Sequence, residues 1–294
     1  MAQAQVQARP VETVQVTSPE RQPFRWWKLF VYILLGVFTI TSIGPLIFTA
    51  ISSFKTMHDV LAFPPTLLPI PFDPSSYQFI LANPLFLRWM LNAFIYAAGA
   101  MLLNVIFSAM AGYALGRMQF FGRQLIFLVT LGIMMIPSAV TLIPKFLVAN
   151  NLHLTNTYFA LILPAMAQPF SVFIMVQFMK GLPKELEESA MIDGASRLRT
   201  FFQIILPQVK PALTAVAIIT FQGAWNDFQW PLVAMSTQDM FTLPVGLFFF
   251  KNAYYTQYNL LLAGSMFNTI PILILFFIFQ RYFIEGAVSS GVKG

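Results

Sequence analysis

Charged residues are scarce in this sequence. Of its 294 residues, 17 are Lys or Arg and 11 are Asp or Glu, 28 in all, whereas 57% of the chain is hydrophobic. Soluble domains carry about 25% charged residues, so this chain cannot cover a water-exposed surface. The composition excludes a disordered chain, a nucleic-acid-binding protein with a basic face and an ordinary cytosolic enzyme. It predicts a polytopic membrane protein.

Cysteine is absent, and histidine is limited to His58 and His153. Without cysteine there is no disulfide framework, no Cys-ligated zinc site and no thiol nucleophile. Both histidines fall in segments predicted to lie outside the membrane. No predicted span pairs a Ser with a His or carries a set of metal ligands. We therefore expect no catalytic residue, no metal site and no cofactor in this chain.

Long segments without charge mark the predicted membrane spans. A helix that crosses the hydrocarbon core needs about 20 apolar residues. Five charge-free segments meet this length, and a sixth candidate contains one acid, Asp227. We predict an all-α membrane protein with six transmembrane helices at about 29–52, 90–115, 124–143, 157–178, 212–235 and 258–280. The segment between the first two spans holds six prolines, which cannot sustain a helix, and is predicted to be an irregular external loop with at most one short helix.

Lys and Arg are distributed unequally about these spans. Six crossings place both termini on one side. Four basic residues precede the first span, two follow the second, five follow the fourth and two follow the sixth, 13 in all, against four on the other side. The positive-inside rule therefore predicts that both termini are cytoplasmic. Residues 1–28 are predicted to form a disordered polar tail, and residues 29–294 the membrane domain.

Asp227 is the one acidic or basic residue inside a predicted span. A carboxylate in a membrane helix marks a functional site by default, so Trp225, Asn226, Asp227 and Phe228 are candidates for the substrate path. Two interpretations are open. Asp227 either lies near the external end of its span, wetted or bonded to Asn226 or Gln229, or it lines the transport path.

The segment from Lys180 to Pro211 gathers nine of the 28 charged residues. Helix connections in bundles are usually about 2–8 residues long, so this segment is expected to have structure of its own. Pro183 fits the first position of a helix whose N-terminal turn is acidic, and Gly194 permits a sharp bend. A second helix follows, with one apolar face made by Leu198, Phe201, Phe202 and Ile205. Pro207 and Pro211 are predicted to end it at the membrane.

These features predict a helix–bend–helix elbow over residues 180–211 on the cytoplasmic side. Two interpretations of the elbow follow from its residues. It docks into a groove of a partner by a short helix, or it packs only on its own helix bundle.

The elbow also carries a motif. It reads Glu188-Ser189-Ala190, three residues, Gly194, nine residues and then Ile204-Ile205-Leu206-Pro207. This resembles the EAA motif of ABC importer permeases, in which Glu-Ala-Ala is followed at the same spacing by Gly and by Ile, any residue, Leu-Pro. The departure is Ser189, where Ala is usual, and Ser is similarly small. Asp193-Gly194-Ala195 fits the longer form of the motif.

The resemblance extends from about residue 27 to the C-terminus and is nearest to the six-helix permease of maltose-type sugar importers. It implies a type I ABC importer permease fold and a transport subunit, not an enzyme, in the bacterial inner membrane. In such families the elbow sits in a cleft of a cytoplasmic ATPase subunit. Glu188 and Asp193 would contact that subunit, Gly194 would permit the bend, and Ala190 and Ala195 would allow close approach.

Several partners follow from the resemblance. ATP and Mg would be held by the partner ATPase dimer, because this chain has no GxxxxGK loop. A second permease subunit, expected to be a different chain, an extracytoplasmic substrate-binding protein and membrane lipid complete the set, with no nucleic acid. The aromatic segment Met240–Tyr258 is expected to face either the binding protein and sugar or the lipid headgroups.

Two other functions remain open at this stage. One is an ABC importer permease for a solute that is not a sugar. The other is a stand-alone carrier or a membrane-embedded enzyme.

Overall fold

The computed structural model of the protein describes residues 26–250 and 256–291, and side chains up to residue 279. The predicted tail, apart from its last three residues, lies outside the described residues, as do Tyr254 and Tyr255. Contacts divide the chain after Ile47, so the first unit contains most of the first helix and the second unit begins at Phe48. All of the packing reported below belongs to the second unit.

The regular elements of the described residues are helices. The α-helices are α1 (Trp26–Ser52), α2 (Met57–Val60), α3 (Ser75–Ala82), α4 (Pro84–Arg117), α5 (Arg123–Met134), α6 (Ser138–Asn151), α7 (Tyr158–Ile162), α8 (Pro169–Lys180), α9 (Glu185–Ile192), α10 (Arg197–Thr200), α11 (Leu206–Gln208), α12 (Lys210–Trp225), α13 (Gln229–Ala234), α14 (Leu243–Phe248) and α15 (Tyr258–Gly291). Short 3-10 helices cover Leu163–Ala165 and Gln238–Met240, and Phe201–Ile205 is π-helical.

Four helical segments are long and apolar enough to cross a membrane. They are α1, α4, the segment Tyr158–Lys180 and the segment Tyr258–Phe279. Two bent pairs raise the number to six: α5 with α6, bent by 107°, and Arg197–Gln208 with α12, bent by 79°. The predicted all-α membrane fold is confirmed, with six spans when each bent pair counts as one.

Three predicted spans are interrupted. The span predicted at 124–143 is two helices that meet around Pro137, and the second continues to Asn151. The span predicted at 157–178 passes through a 3-10 turn and restarts at Pro169. The span predicted at 212–235 ends at Trp225 and resumes as α13. A charge-free segment reveals the length of a span and not its direction, and proline removes a helical N–H donor.

The second predicted span begins earlier than its apolar segment. Asn83 accepts a hydrogen bond from the Leu85 N–H (2.9 Å) and caps α4, and Pro84 occupies the first turn, where proline is favoured. This proline was assigned to the external loop in the prediction. The loop also contains two short helices, α2 and α3, where at most one was predicted.

Helix α4 is the central element of the second unit and packs against both α8 and α12. Small residues permit the close approach of α8. A Cβ atom placed on Gly112 would lie 2.5 Å from Cβ of Met175, and one on Gly116 would lie 3.3 Å from Cβ of Met179. The two glycines are four residues apart, the spacing of the G-x-x-x-G contact between membrane helices.

Asn104, fully buried on α4, joins α8 and α12 through its side-chain amide. Its Nδ2 donates to Ser171 Oγ (2.8 Å) and to Thr220 Oγ1 (2.6 Å). Its Oδ1 accepts from the Ser108 hydroxyl (2.8 Å) and from the Gln168 N–H (2.9 Å). Because the amide donates two hydrogen bonds and accepts two, its hydrogen-bonding groups are all satisfied, and the network fixes three helices in one arrangement.

Candidate functional site

The predicted elbow is present, and its first helix is α9. The helix begins at Glu185, after Lys184 and not at Pro183, and its first turn contains Glu185, Glu187 and Glu188. Carboxylates in this position are stabilised by the partial positive charge of the helix N-terminus. The local chemistry that predicted the helix therefore also explains it.

Gly194 ends α9 in the left-handed conformation, with φ of +76°. The Gly194 N–H donates to Met191 O (3.1 Å), and the Ala195 N–H donates to Ala190 O (2.9 Å). These two bonds form the Schellman cap of a helix, which favours glycine. Ser196 then caps α10, because its hydroxyl accepts from the Arg199 N–H (3.4 Å). The bend was predicted from this glycine.

The six residues predicted to contact an ATPase do not share one environment. Glu188, Ser189, Asp193 and Gly194 are exposed, Ala195 is half-buried, and Ala190 is 4% exposed. Ala190 therefore packs within this chain, where the resemblance implied close approach to a partner. Of the exposed four, Glu188 and Ser189 lie within α9, whereas Asp193 and Gly194 follow its last residue.

The second arm of the elbow differs from its prediction. The predicted apolar face is divided, since Phe201 and Ile205 are buried while Leu198 and Phe202 are exposed. The π-helical turn over Phe201–Ile205 changes the angular spacing that a regular helix would give. The arm ends at Gln208, between Pro207 and Pro211, close to the predicted position.

A break at the single residue Val209 separates the arm from α12. Pro207 lies within α11, and Pro211 lies in the first turn of α12. Proline is tolerated in a first turn because the N–H it lacks has no partner within the helix there. The predicted stop is thus a bend of 79° into the next span.

Two residues that the sequence does not single out attach the elbow to α4. Arg117, the last residue of α4, places Nε 3.2 Å from Oε1 of Glu187 on α9. Its guanidinium also donates to the carbonyl oxygens of Met179 (3.3 Å), Leu182 (2.7 Å) and Pro183 (3.0 Å). In the sequence, Arg117 counts only as one of the basic residues that indicate the cytoplasmic side, and nothing there predicts its contact with Glu187.

A polar cavity of about 530 Å³ lies beside this ion pair. Basic and acidic residues from α4, α5, α8 and α9 line it. They include Arg117, Arg123, Lys180, Lys184, Glu187 and Glu188. Both members of the Arg117–Glu187 ion pair line this cavity.

Asp227 lies in the break between α12 and α13. Its Oδ2 accepts a hydrogen bond from the Tyr96 hydroxyl on α4 (3.0 Å), and its Oδ1 accepts from the Trp230 N–H (3.3 Å). The predicted partners, Asn226 and Gln229, are not its hydrogen-bond partners. The carboxylate thus joins the interrupted span to the central helix.

Lys145 adds a cation to this side of the molecule. Its Nζ lies 4.0 Å from the ring centroid of Trp230, and it also interacts electrostatically with Asp227. Trp230 is buried and donates its indole N–H to Ala160 O (2.9 Å). The acid, the base and the aromatic ring therefore lie together where the middle of α6 meets the break between α12 and α13.

The remaining candidates near Asp227 have different surroundings. Trp225 is buried and donates to the Asn268 carbonyl (2.9 Å), and the Phe228 ring packs 5.3 Å from that of Phe248. Asn226 is exposed and accepts from Asn268 Nδ2 (3.0 Å). Among the four predicted substrate-path residues, Asn226 is the most accessible to a solute and Trp225 the least.

The family is established by comparison with known proteins. The model of the family described as "Binding-protein-dependent transport system inner membrane component" matches residues 104–287, which include both the elbow and Asp227. The chain belongs to this family. The predicted resemblance to ABC importer permeases is thereby confirmed.

Two curated members of this transport family illustrate the similarity. The chain is 42% identical over 260 residues to the arabinooligosaccharides transport system permease protein AraQ of Halalkalibacterium halodurans, covering 86% of this chain and 92% of that protein. It is 34% identical over 262 residues to the trehalose/maltose transport system permease protein MalG of Thermococcus litoralis, with coverage of 87% and 93%.

A solved structure has the same fold. One chain of a bacterial ABC transporter involved in the import of alginate superposes with a TM-score of 0.79 at 23% identity. The match covers 91% of this chain and 100% of that chain. The binding-protein-dependent permease fold therefore extends over nearly the whole sequence, beyond the segment that the family model matches.

Proposed function

We propose that this chain is the transmembrane permease subunit of an ATP-driven importer for sugars or oligosaccharides that a binding protein delivers. Family membership supports the transport role. The names of the relatives, which refer to arabinooligosaccharides and to trehalose and maltose, support the substrate class. The chain would move solute without chemical change and would act as a transport subunit, not as an enzyme.

The exposed elbow is the observation that carries the energy-coupling part of the proposal. Acidic Glu188 and Asp193 lie beside the exposed apolar residues Met191 and Ile192. A short helix with this mixture of charge and apolar surface suits a groove in a partner. The partner would be a cytoplasmic ATPase dimer that binds ATP and Mg, because this chain lacks a phosphate-binding loop.

The proposed orientation follows from the basic residues. The side that carries the elbow and both termini is placed in the cytoplasm, since 13 of the 17 Lys and Arg residues belong to it. The loop with α2 and α3, together with residues 235–243, would then face the extracytoplasmic binding protein. A second permease subunit, a different chain, would complete the pore within the lipid bilayer.

The broken span supports a substrate path near Asn226 and Asp227. Irregular backbone at membrane depth is tolerated where it is buried in protein or lines a water-filled cavity. The break contains the exposed Asn226 amide and the Asp227 carboxylate. Side chains of this type can hydrogen-bond the hydroxyl groups of a passing sugar.

Reconstitution tests the proposal. The chain is assembled with the ATPase and the second permease in proteoliposomes, and uptake of a labelled oligosaccharide is measured with the loaded binding protein outside and ATP inside. We expect uptake that requires ATP and that Glu188→Lys abolishes, because a reversed charge at an interface opposes docking. Glu185→Lys is the matched control on the same turn, outside the motif, and should transport normally.

Two results would contradict the proposal. Uptake by this chain alone, without the ATPase, would make it a stand-alone carrier. Calorimetry on the binding protein with sugars, amino acids, peptides and phosphate tests the substrate class, and binding of only a non-sugar ligand would reject the sugar assignment while leaving the permease role intact.

A further inference from the structure

We infer that Arg117 and Glu187 are positioning residues that transmit movement of the elbow to α4. The inference rests on the proposed coupling of the elbow to an ATPase. On this inference, the ion pair keeps α9 in a fixed orientation relative to the end of α8. Neither residue belongs to the motif that carries the family resemblance.

The covalent route from the membrane bundle to α9 is a short turn. Helix α8 ends at Lys180 and α9 begins at Glu185, so four residues connect them. Carbonyl groups at a helix C-terminus have no partner within the helix. Helical hydrogen bonds therefore do not stiffen this turn, and a force on α9 would bend it unless a side chain bound those carbonyl groups.

Arg117 supplies that contact by three hydrogen bonds. It binds carbonyl groups of Met179 at the end of α8 and of Leu182 and Pro183 in the turn. Its charge also complements the negative end of the α8 dipole. The fourth contact is a charge pair: Nε lies 3.2 Å from Oε1 of Glu187 in the first turn of α9, without hydrogen-bond geometry. One side chain of α4 thus holds α8, the turn and the elbow together.

Burial makes this link stiff. The side chains of Arg117 and Glu187 are 5% and 14% exposed. An exposed ion pair contributes little because water competes for both charges, whereas separation of a buried pair leaves a charge without solvent or partner. The planar guanidinium fits several acceptors in fixed directions, which a lysine ammonium cannot reproduce.

Helix α4 can carry the displacement across the protein. It is 34 residues long, which corresponds to about 51 Å. At its middle, Asn104 is bonded to α8 and α12. Near its other end, Tyr96 holds Asp227, and Trp89 donates to Gln238 O (2.7 Å). A shift of the Arg117 end therefore acts on the broken span and on the opposite loop.

The test compares transport with ATP consumption in the reconstituted complex. Arg117→Lys keeps the positive charge but removes the planar guanidinium. Glu187→Gln keeps the shape of the side chain but removes its negative charge. We expect both variants to assemble with the ATPase and to hydrolyse ATP, while solute transported per ATP falls about tenfold. The Arg117→Lys/Glu187→Gln double variant should be no worse than the worse single variant, since both changes break one link.

Arg123→Lys is the matched control. Arg123 lines the same cavity, but its guanidinium donates to Met118 O within its own connection (2.9 Å). Its ratio of transport to hydrolysis should equal that of the unsubstituted complex. An unchanged ratio in Arg117→Lys and Glu187→Gln would overturn the inference. So would a parallel loss of assembly, hydrolysis and uptake, because that pattern marks a purely structural contact.

The same experiment distinguishes failure of the proposed function from failure of this inference. If the unsubstituted complex shows no ATP-dependent uptake, the importer assignment is wrong. If it does, the ratio measured in the variants decides the role of Arg117 and Glu187 alone.

Discussion

The hydroxyl of Tyr96 donates a 3.0 Å hydrogen bond to Oδ2 of Asp227, a residue 131 positions later in the chain. Tyr96 is 4% exposed and lies on α4, and Asp227 is half-buried in the break after α12. The second carboxylate oxygen is held by the Trp230 N–H. The break in the span is therefore fixed by a side chain of the central helix and by its own backbone.

Replacement of Tyr96 by Phe removes the donor and leaves one oxygen of Asp227 without this partner. Hydrogen bonds to charged groups contribute about 1.5–3 kcal/mol in soluble proteins, and those between membrane helices average about 0.6 kcal/mol, so we expect a loss of about 1–2 kcal/mol. Denaturation of the purified protein in detergent measures it. Tyr32→Phe, at an exposed position on α1, is the control. Equal stability of the two variants would show that the Tyr96 bond contributes nothing.

This pair shows what can be predicted at the candidate site. Asp227 stands out in the sequence because acids are rare in membrane spans. Tyr96 does not, since tyrosine is common in such helices and its role depends on the packing of α4 against α12. The local alternatives, Asn226 and Gln229, were reasonable partners by sequence distance, and the tertiary contact replaced them.

The α4–α8 contact gives a second prediction. A Cβ atom on Gly112 would approach Met175 Cβ to 2.5 Å, so Gly112→Ala must push the two helices apart. Overpacking of this kind typically costs about 1–3 kcal/mol. Gly132→Ala is the matched control, because nothing outside its adjacent residues and its own helix backbone lies within 4 Å of the added Cβ, and alanine is favoured over glycine in a helix by about 1 kcal/mol.

The two glycine variants should therefore change stability in opposite directions. Thermal unfolding in detergent, followed by tryptophan fluorescence, would show a lower midpoint for Gly112→Ala and an equal or higher one for Gly132→Ala. A midpoint for Gly112→Ala at or above that of the unsubstituted protein would mean that α4 and α8 can separate without loss.

The spans and the elbow differ in how far the sequence predicts them. Scarcity of charge identified four spans that are single helical segments and two that are bent pairs, because the bilayer selects for length and apolar character. It did not reveal the bend at Pro137, since direction depends on what each half packs against. The elbow was predicted in more detail, because an acidic first turn and the glycine after Asp193 are local signals that need no tertiary partner. The division of Phe201 from Phe202 was not predicted, because the π-helical turn that causes it has no signal in the residue spacing.

Gly194 separates the conformational role of glycine from its small size. Its φ is +76°, and, apart from the adjacent residues, no described atom of this chain lies within 4 Å of a Cβ placed there. Within this chain a substitution therefore acts through the backbone and not through a clash. The left-handed conformation costs an ordinary residue about 1–2 kcal/mol, whereas Asn adopts it readily.

We expect Gly194→Asn to retain ATP-dependent uptake and Gly194→Val to lose it, because a β-branched residue moves the bend away from φ of +76° and misdirects the exposed end of α9. Copurification of the ATPase and uptake in proteoliposomes measure the two effects. Wild-type uptake by Gly194→Val would mean that the left-handed cap is not needed for coupling. If Gly194→Asn is as damaging as Gly194→Val, the requirement is for space and not for conformation, and the missing side chain then marks a position where the ATPase itself approaches the backbone of the elbow.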